Sequence, residues 1–161
     1  ELNPGFAEAY SNLGITLKDL GNLQEAEISL RKSIEIKPDF AEAHSNLGFI
    51  LTDLGKLKEA ELSLLKAIKI NPDSAIAHYN LGNILKELGE LKEAAISARR
   101  AIKLNPDLAL AHYLLGVTYS SENNYIEAYK EINYAINLDP SNHIFQGELN
   151  RIKLIKDEDD E

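Results

Sequence analysis

All five prolines of this 161-residue chain lie 34 residues apart, at Pro4, Pro38, Pro72, Pro106 and Pro140. The glycines keep the same interval, with Gly14, Gly48, Gly82 and Gly116 in one series and Gly21, Gly55 and Gly89 in another. A fixed period of this length constrains the architecture before any single residue is weighed. One supersecondary unit recurs, and each copy meets its neighbours in the same way.

Counted from 1 within a unit, four full repeats span 7–40, 41–74, 75–108 and 109–142. Residues 1–6 then read as the last six positions of a preceding unit whose start is missing. Positions 4, 7, 8 and 11, as in Tyr10, Leu13, Gly14 and Leu17, follow the i, i+3, i+4, i+7 spacing of one helix face. A second helix carries Ala26, Leu30, Ser33 and Ile34 in the first unit, and Ala60, Leu64, Ala67 and Ile68 in the second.

Position 15 is glycine in three units and Asn123 in the fourth, the two residues that best accept the left-handed backbone ending a helix. Glycine at position 8 and alanine at position 20 (Ala26, Ala60, Ala94, Ala128) are small where the two helices of a unit cross. Proline at position 32 stops the second helix, and Asp39-Phe40-Ala41-Glu42 is expected to cap the next. The prediction is an all-α fold, an α-solenoid of stacked helical hairpins, none of which can bury its apolar face alone. Residues 143–156 place Phe145, Leu149, Ile152 and Ile155 at helical spacing and are predicted to form a C-terminal capping helix. Residues 157–161, all acidic, are predicted to be a solvated, disordered tail.

The Leu-Gly at positions 7 and 8, Ala at 20, Ala or Ser at 27 and Pro at 32 resemble the tetratricopeptide repeat, over residues 1–142. The resemblance implies a right-handed superhelix whose first helices line a concave binding surface. One departure is position 4, where the family favours Trp or Tyr and this chain has Tyr10, then His44, His78 and His112.

Composition excludes several classes of function. With 44% hydrophobic and 27% charged residues the chain is neither disordered nor a membrane protein by composition, and no apolar run approaches the roughly 18 residues of a spanning helix. The absence of cysteine removes disulfides, thiolate metal sites and cysteine nucleophiles, so a cytoplasmic location is expected. Net charge is −9, of which the tail supplies five, leaving −4 on the body. A mildly acidic body is a poor partner for nucleic-acid phosphates or anionic lipid, and neither is an expected partner.

No phosphate-binding loop, His-Glu-x-x-His pattern or nucleophile elbow occurs, and neither a cofactor nor a catalytic role is expected. Carboxylates such as Asp19, Asp53 and Glu87 recur once per repeat, without the contrasting environments of an acid–base pair. The three position-4 histidines would stand on successive helices about 10 Å apart, too far to share a metal with ligand bonds of about 2 Å. They are read as polar-tipped aromatics in a packing site.

The candidate binding face is the stripe beside the buried one. Position 5 supplies Ser11, Ser45, Tyr79 and Tyr113; position 9 supplies Ile15, Phe49, Asn83 and Val117. Position 6 supplies Asn12, Asn46 and Asn80, and then Leu114. The stripe changes from small and amide-bearing to aromatic and apolar, which suits an extended segment better than a small molecule. The carboxylate clamp of chaperone-binding relatives is absent, because its cationic positions hold Ser11, Ile76 and Asn80 and only Asn46 matches.

The segments AEAYSNLG and AEAHSNLG, at 7–14 and 41–48, are similar to the repeat superhelix of O-linked N-acetylglucosamine transferases. There the position-6 asparagines form a ladder that grips the peptide backbone, and the matching residues here are Asn12, Asn46 and Asn80. A carboxamide offers both a donor and an acceptor, and rungs about 10 Å apart would meet an extended peptide at roughly every third residue. Duplication of an ancestral unit is the competing account of the three copies. Three functional readings therefore stand: a module binding a protein or peptide ligand in the concave groove, a substrate-recruiting arm of a larger modifying enzyme, and a scaffold that forms homo-oligomers through its open repeat ends.

Overall fold

The structure of the protein, a computed structural model, describes residues 4–159. Among these, nine helices follow one another with no strand. They are α1 (Pro4–Asp19), α2 (Leu23–Ile36), α3 (Ala41–Asp53), α4 (Leu57–Ile70), α5 (Ala75–Glu87), α6 (Leu91–Leu104), α7 (Ala109–Ser121), α8 (Tyr125–Leu138) and α9 (His143–Asp159). The fold is an all-α solenoid. Each of α1, α3, α5 and α7 packs most closely on the even helix after it and also lies against the next odd helix, whereas neighbouring even helices reach one another through side chains such as Arg31 and Glu59. The stack therefore curves with the odd helices on its inner side.

Each hairpin reverses at a left-handed residue, with φ of +80° at Gly21, +73° at Gly55, +80° at Gly89 and +59° at Asn123. Asparagine tolerates that region better than most residues with a side chain, so the fourth unit turns like the others. Within a hairpin the helices cross at position 8. A Cβ on Gly48 would stand 2.6 Å from Leu64 Cγ, closer than real Cβ atoms come, and a tight 3.3 Å from the Ala60 carbonyl oxygen. The position-24 side chains Leu30, Leu64 and Ile132 fill the space over the glycines in three units, and the third unit has Ala98 there.

The turns between hairpins are clasped by the histidines. Nε2 of His44, His78 and His112 each donates to the carbonyl of the preceding proline, Pro38, Pro72 and Pro106, at 2.9, 3.0 and 3.0 Å. A carbonyl only accepts, so these contacts place a proton on Nε2. The packing-site reading of these rings thus gains a hydrogen bond that ties each odd helix to the turn before it.

Several expectations are corrected. Asp39 does not cap α3: Phe40 holds the N-cap position and makes no side-chain cap bond. Ser74 caps α5 instead, its Oγ accepting from the Ala77 N–H at 3.2 Å. Later turns are closed by Asn71, Asn105 and Asp139, whose side-chain oxygens accept the N–H two residues on. A short side-chain acceptor that satisfies its own turn leaves the helix start to other groups. Pro4 opens α1 rather than a turn, because proline suits the first helical position, where its missing N–H has no intrahelical role. Residues 1–3 lie outside the described residues. Helix α9 runs three residues past 156, since extending an established helix costs far less than starting one. The tail expected at 157–161 thus begins as helix, and its last two residues lie outside the described residues.

Leu13 is 45% exposed, whereas Leu47, Leu81 and Leu115 at the same position are 5%, 7% and 3% exposed. The difference follows from stacking, since each of the latter three is covered by the hairpin before it. At the other end α9 buries Phe145, Leu149 and Ile152, and the Phe145 ring stacks on Tyr113 at 4.8 Å.

Candidate functional site

The inner side of the arc is formed by α1, α3, α5 and α7, so positions 5, 6 and 9 can be located directly. Asn12 is exposed, and Asn46 and Asn80 are half-buried. None of the three carboxamides has a hydrogen-bond partner among the described residues. Polar groups on a folded surface that satisfy nothing internally are free to bond water or a ligand.

Two clefts open on this side. One, of about 300 Å³, has Ser45 and Asn46 of α3 facing Asn71 and Ser74 of the following turn and Ile76 of α5. The other, of about 190 Å³, lies between α3 and α5. Helix α3 supplies Phe49, Thr52 and Asp53 to it, and α5 supplies Tyr79, Asn80, Asn83 and Glu87. The structure thus brings together Phe49, Tyr79, Asn80 and Asn83 from the sequence-predicted set. Thr52, Asp53 and Glu87 were not selected from the sequence, although positions 12 and 13 fall on the same helical stripe.

Other members of the set are placed elsewhere. Ser11 is only 2% exposed, and its hydroxyl, with no hydrogen-bond partner among the described residues, is closed off from the groove. Tyr113 packs under α9, where burial first and the Glu148 carboxylate second hold its phenol above the usual tyrosine range. Its ring belongs to the cap interface rather than to a free groove wall. Ile15 and Val117 are half-buried on α1 and α7. Leu114, where the amide series stops, is 2% exposed and lies over Gly82.

A larger cleft of about 510 Å³ opens between α2 and α4 on the outer side, with Arg31, Glu59 and Lys66 among its lining residues. Its rim is partly neutralised from within. Arg31 bridges Glu59 at 2.7 Å and Glu27 at 2.8 Å, and Lys56 reaches Glu27 at 2.8 Å. Lys56 chiefly, with Arg31, holds the Glu27 carboxyl below the usual carboxylate range. This network fastens one outer helix to the next.

Among the described residues no group of three or more His, Cys, Asp or Glu could hold a metal ion. No described helix is long and apolar enough to cross a membrane.

A curved solenoid of stacked helical hairpins defines an interaction scaffold. Its family follows from comparison: the tetratricopeptide repeat matches at residues 7–40 and 109–142, and the TPR repeat at 49–89 and 82–122. The chain belongs to the tetratricopeptide repeat family, a family of protein-interaction modules. No curated protein matches it in sequence.

Among solved structures, MamA 41-end from Desulfovibrio magneticus RS-1 is 24% identical with a TM-score of 0.82, over 94% of this chain and 85% of that one. Pseudomonas aeruginosa PilF is 24% identical with a TM-score of 0.88, over 96% of this chain and 70% of that one. At that identity both show the fold alone. A Thermobaculum terrenum O-GlcNAc transferase mutant is 25% identical with a TM-score of 0.75, over 83% of this chain and 26% of the transferase.

Proposed function

We propose that the chain binds an extended segment of a protein partner along its concave face. The observation that carries this reading is the row of three carboxamides, Asn12, Asn46 and Asn80, on successive inner helices with no hydrogen-bond partner among the described residues. Each can accept from a peptide N–H and donate to a peptide carbonyl, so the row recognises backbone rather than sequence. Each bond contributes only about 0.5–1.5 kcal/mol, and affinity has to accumulate over several rungs and the apolar walls between them.

The similarity to the O-GlcNAc transferase structure supports a second reading, in which the groove presents a protein substrate to a modifying domain elsewhere in a parent chain. Both readings require the same groove. The triple substitution Asn12→Ala, Asn46→Ala and Asn80→Ala tests it, read by capture of partners from lysate and by thermal melting. The expected result is lost capture at an unchanged melting temperature. Normal capture by the triple variant would remove the ladder from the account, and a large loss of stability would make the amides structural.

A further inference from the structure

The cleft between α3 and α5 has two acids, Asp53 and Glu87, and no cation among its lining residues. In the first repeat, position 12 is Lys18 and position 13 is Asp19. The Lys18 ammonium lies 3.1 Å from the Asp19 carboxylate and 5.1 Å from the centroid of the Phe49 ring on the next inner helix. The protein thus places a positive charge against an acid and an aromatic face at once. In the second repeat position 12 is Thr52, whose hydroxyl donates to the Gly48 carbonyl of its own helix at 2.9 Å. Asp53 at position 13 is left without the partner that Asp19 has.

Glu87, from the facing helix, is in the same condition. Among the described residues neither Asp53 nor Glu87 forms an ion pair or a side-chain hydrogen bond, and both line the cleft. Lys86, adjacent in sequence, is not part of the lining and pairs with neither. The Phe49 ring, 38% exposed, and the half-buried Tyr79 ring line the same cleft, as do Asn80 and Asn83.

We infer that this cleft receives a lysine or arginine side chain from the bound peptide. Its charged head meets Asp53 and Glu87, and its aliphatic stem lies along Phe49 and Tyr79, the way long basic side chains cover apolar surface while keeping their charge solvated or paired. The inference rests on the groove reading above and supplies what the amide row lacks, since a ladder that bonds backbone cannot choose among side chains. Exposed Glu8 and Glu42 at position 2 of the first two repeats add to an acidic approach for a basic segment.

The test is a displayed library of random peptides panned on the chain and on its Asp53→Asn, Glu87→Gln variant. The wild-type chain is expected to enrich peptides with lysine or arginine at one fixed register, and the variant to capture peptides without that enrichment. In a selected peptide, citrulline for arginine or norleucine for lysine should weaken binding to the wild-type chain about tenfold and leave binding to the variant unchanged. Peptides captured with no basic preference, or a preference that the variant keeps, overturn the cleft assignment alone. A chain that captures no peptide overturns the groove reading and this inference with it.

Discussion

Leu114 fills the space that Ala98 leaves open: its Cδ2 lies 2.8 Å from where a Cβ on Gly82 would stand. In the other three repeats this space is filled from within the hairpin, by Leu30 over Gly14, Leu64 over Gly48 and Ile132 over Gly116. The third repeat has only a methyl group at position 24, and the next inner helix supplies the missing volume. Ala98 and Leu114 share one buried cluster. The amide row ends at Asn80 because position 6 of the fourth repeat has become a packing position.

Leu114→Ala should therefore destabilise the chain by about 2–5 kcal/mol, as for other buried leucines. Ala98→Leu should also destabilise, because two side chains then compete for one space. Combining Ala98→Leu with Leu114→Asn should recover most of the loss, which urea denaturation of the four-member cycle would read as a large coupling between the two sites. The combined variant also extends the amide row by one rung.

Two glycine series should respond to alanine for different reasons. Gly48→Ala puts a Cβ into Leu64 and should cost about 1–3 kcal/mol by overpacking, with partial rescue by Leu64→Ala. Gly55→Ala meets no atom within 4 Å but keeps a φ of +73°. Its cost, about 1–2 kcal/mol from backbone strain, should be the same with or without Leu64→Ala. Thermal melting of both pairs checks the distinction.

His112→Phe should destabilise more than His78→Phe. Both rings donate to a proline carbonyl, but Nδ1 of His112 also lies 2.7 Å from Glu131 Oε2, and its ring rests on Tyr134 at 4.4 Å. Phenylalanine keeps the ring and removes the bonds, leaving the proline carbonyl and, for His112, the partly buried Glu131 carboxylate without them. A difference of about 1–3 kcal/mol in chemical denaturation is expected.

The Glu27 network predicts part of the acid sensitivity. Its carboxyl is lowered from the ordinary value of 4.5, first by the hydrogen bond from Lys56 and then by Arg31. A carboxylate depressed in the folded state contributes stability that is present above its unfolded value and is lost as pH falls through the folded one. Glu27→Gln should cost about 0.5–1 kcal/mol at neutral pH, since both cations are partly exposed and screened. The variant should lose less than the parent between neutral pH and the range below 4.5, followed as melting temperature against pH.

Phe145→Ala should loosen α9 and expose Tyr113. The loss of a nearly fully buried ring is expected to cost about 3–5 kcal/mol, concentrated in the last hairpin and its cap. The Tyr113 phenol should then return toward the ordinary tyrosine range, because burial is the first cause of its elevation. Ultraviolet titration of Phe145→Ala, with Tyr113→Phe as the reference, reads that shift. Hydrogen exchange would show the loss of protection confined to α7, α8 and α9.

The repeat period, the small residues at helix crossings and the left-handed turn residues were legible because each is a local requirement that recurs on a fixed interval. Leu114 was legible only as an interruption; its cause, Ala98, lies on a different helix of a different repeat. Ser11 was expected in the groove because the period puts it level with Ser45, yet it is buried while Ser45 is half-exposed. Identical spacing does not give identical neighbours. The turn caps failed because the N-cap position of α3 falls on Phe40 rather than Asp39, and the acceptors Asn71, Asn105 and Asp139 serve N–H groups of their own turns rather than helix starts.

What the amino-acid sequence determined by itself is the solenoid: a 34-residue period of apolar, small and helix-stopping residues leaves each hairpin no way to bury its face except against another. What only the tertiary structure decided is which residues of the inner stripe remain free. Lys18 neutralises Asp19, Thr52 leaves Asp53 unpaired, Leu114 turns into the core and Tyr113 is covered by α9. Leu114 and Tyr113 take their places from Gly82 and Phe145, each about one repeat away, through the way the helices stack, and a period in the sequence carries no such distance.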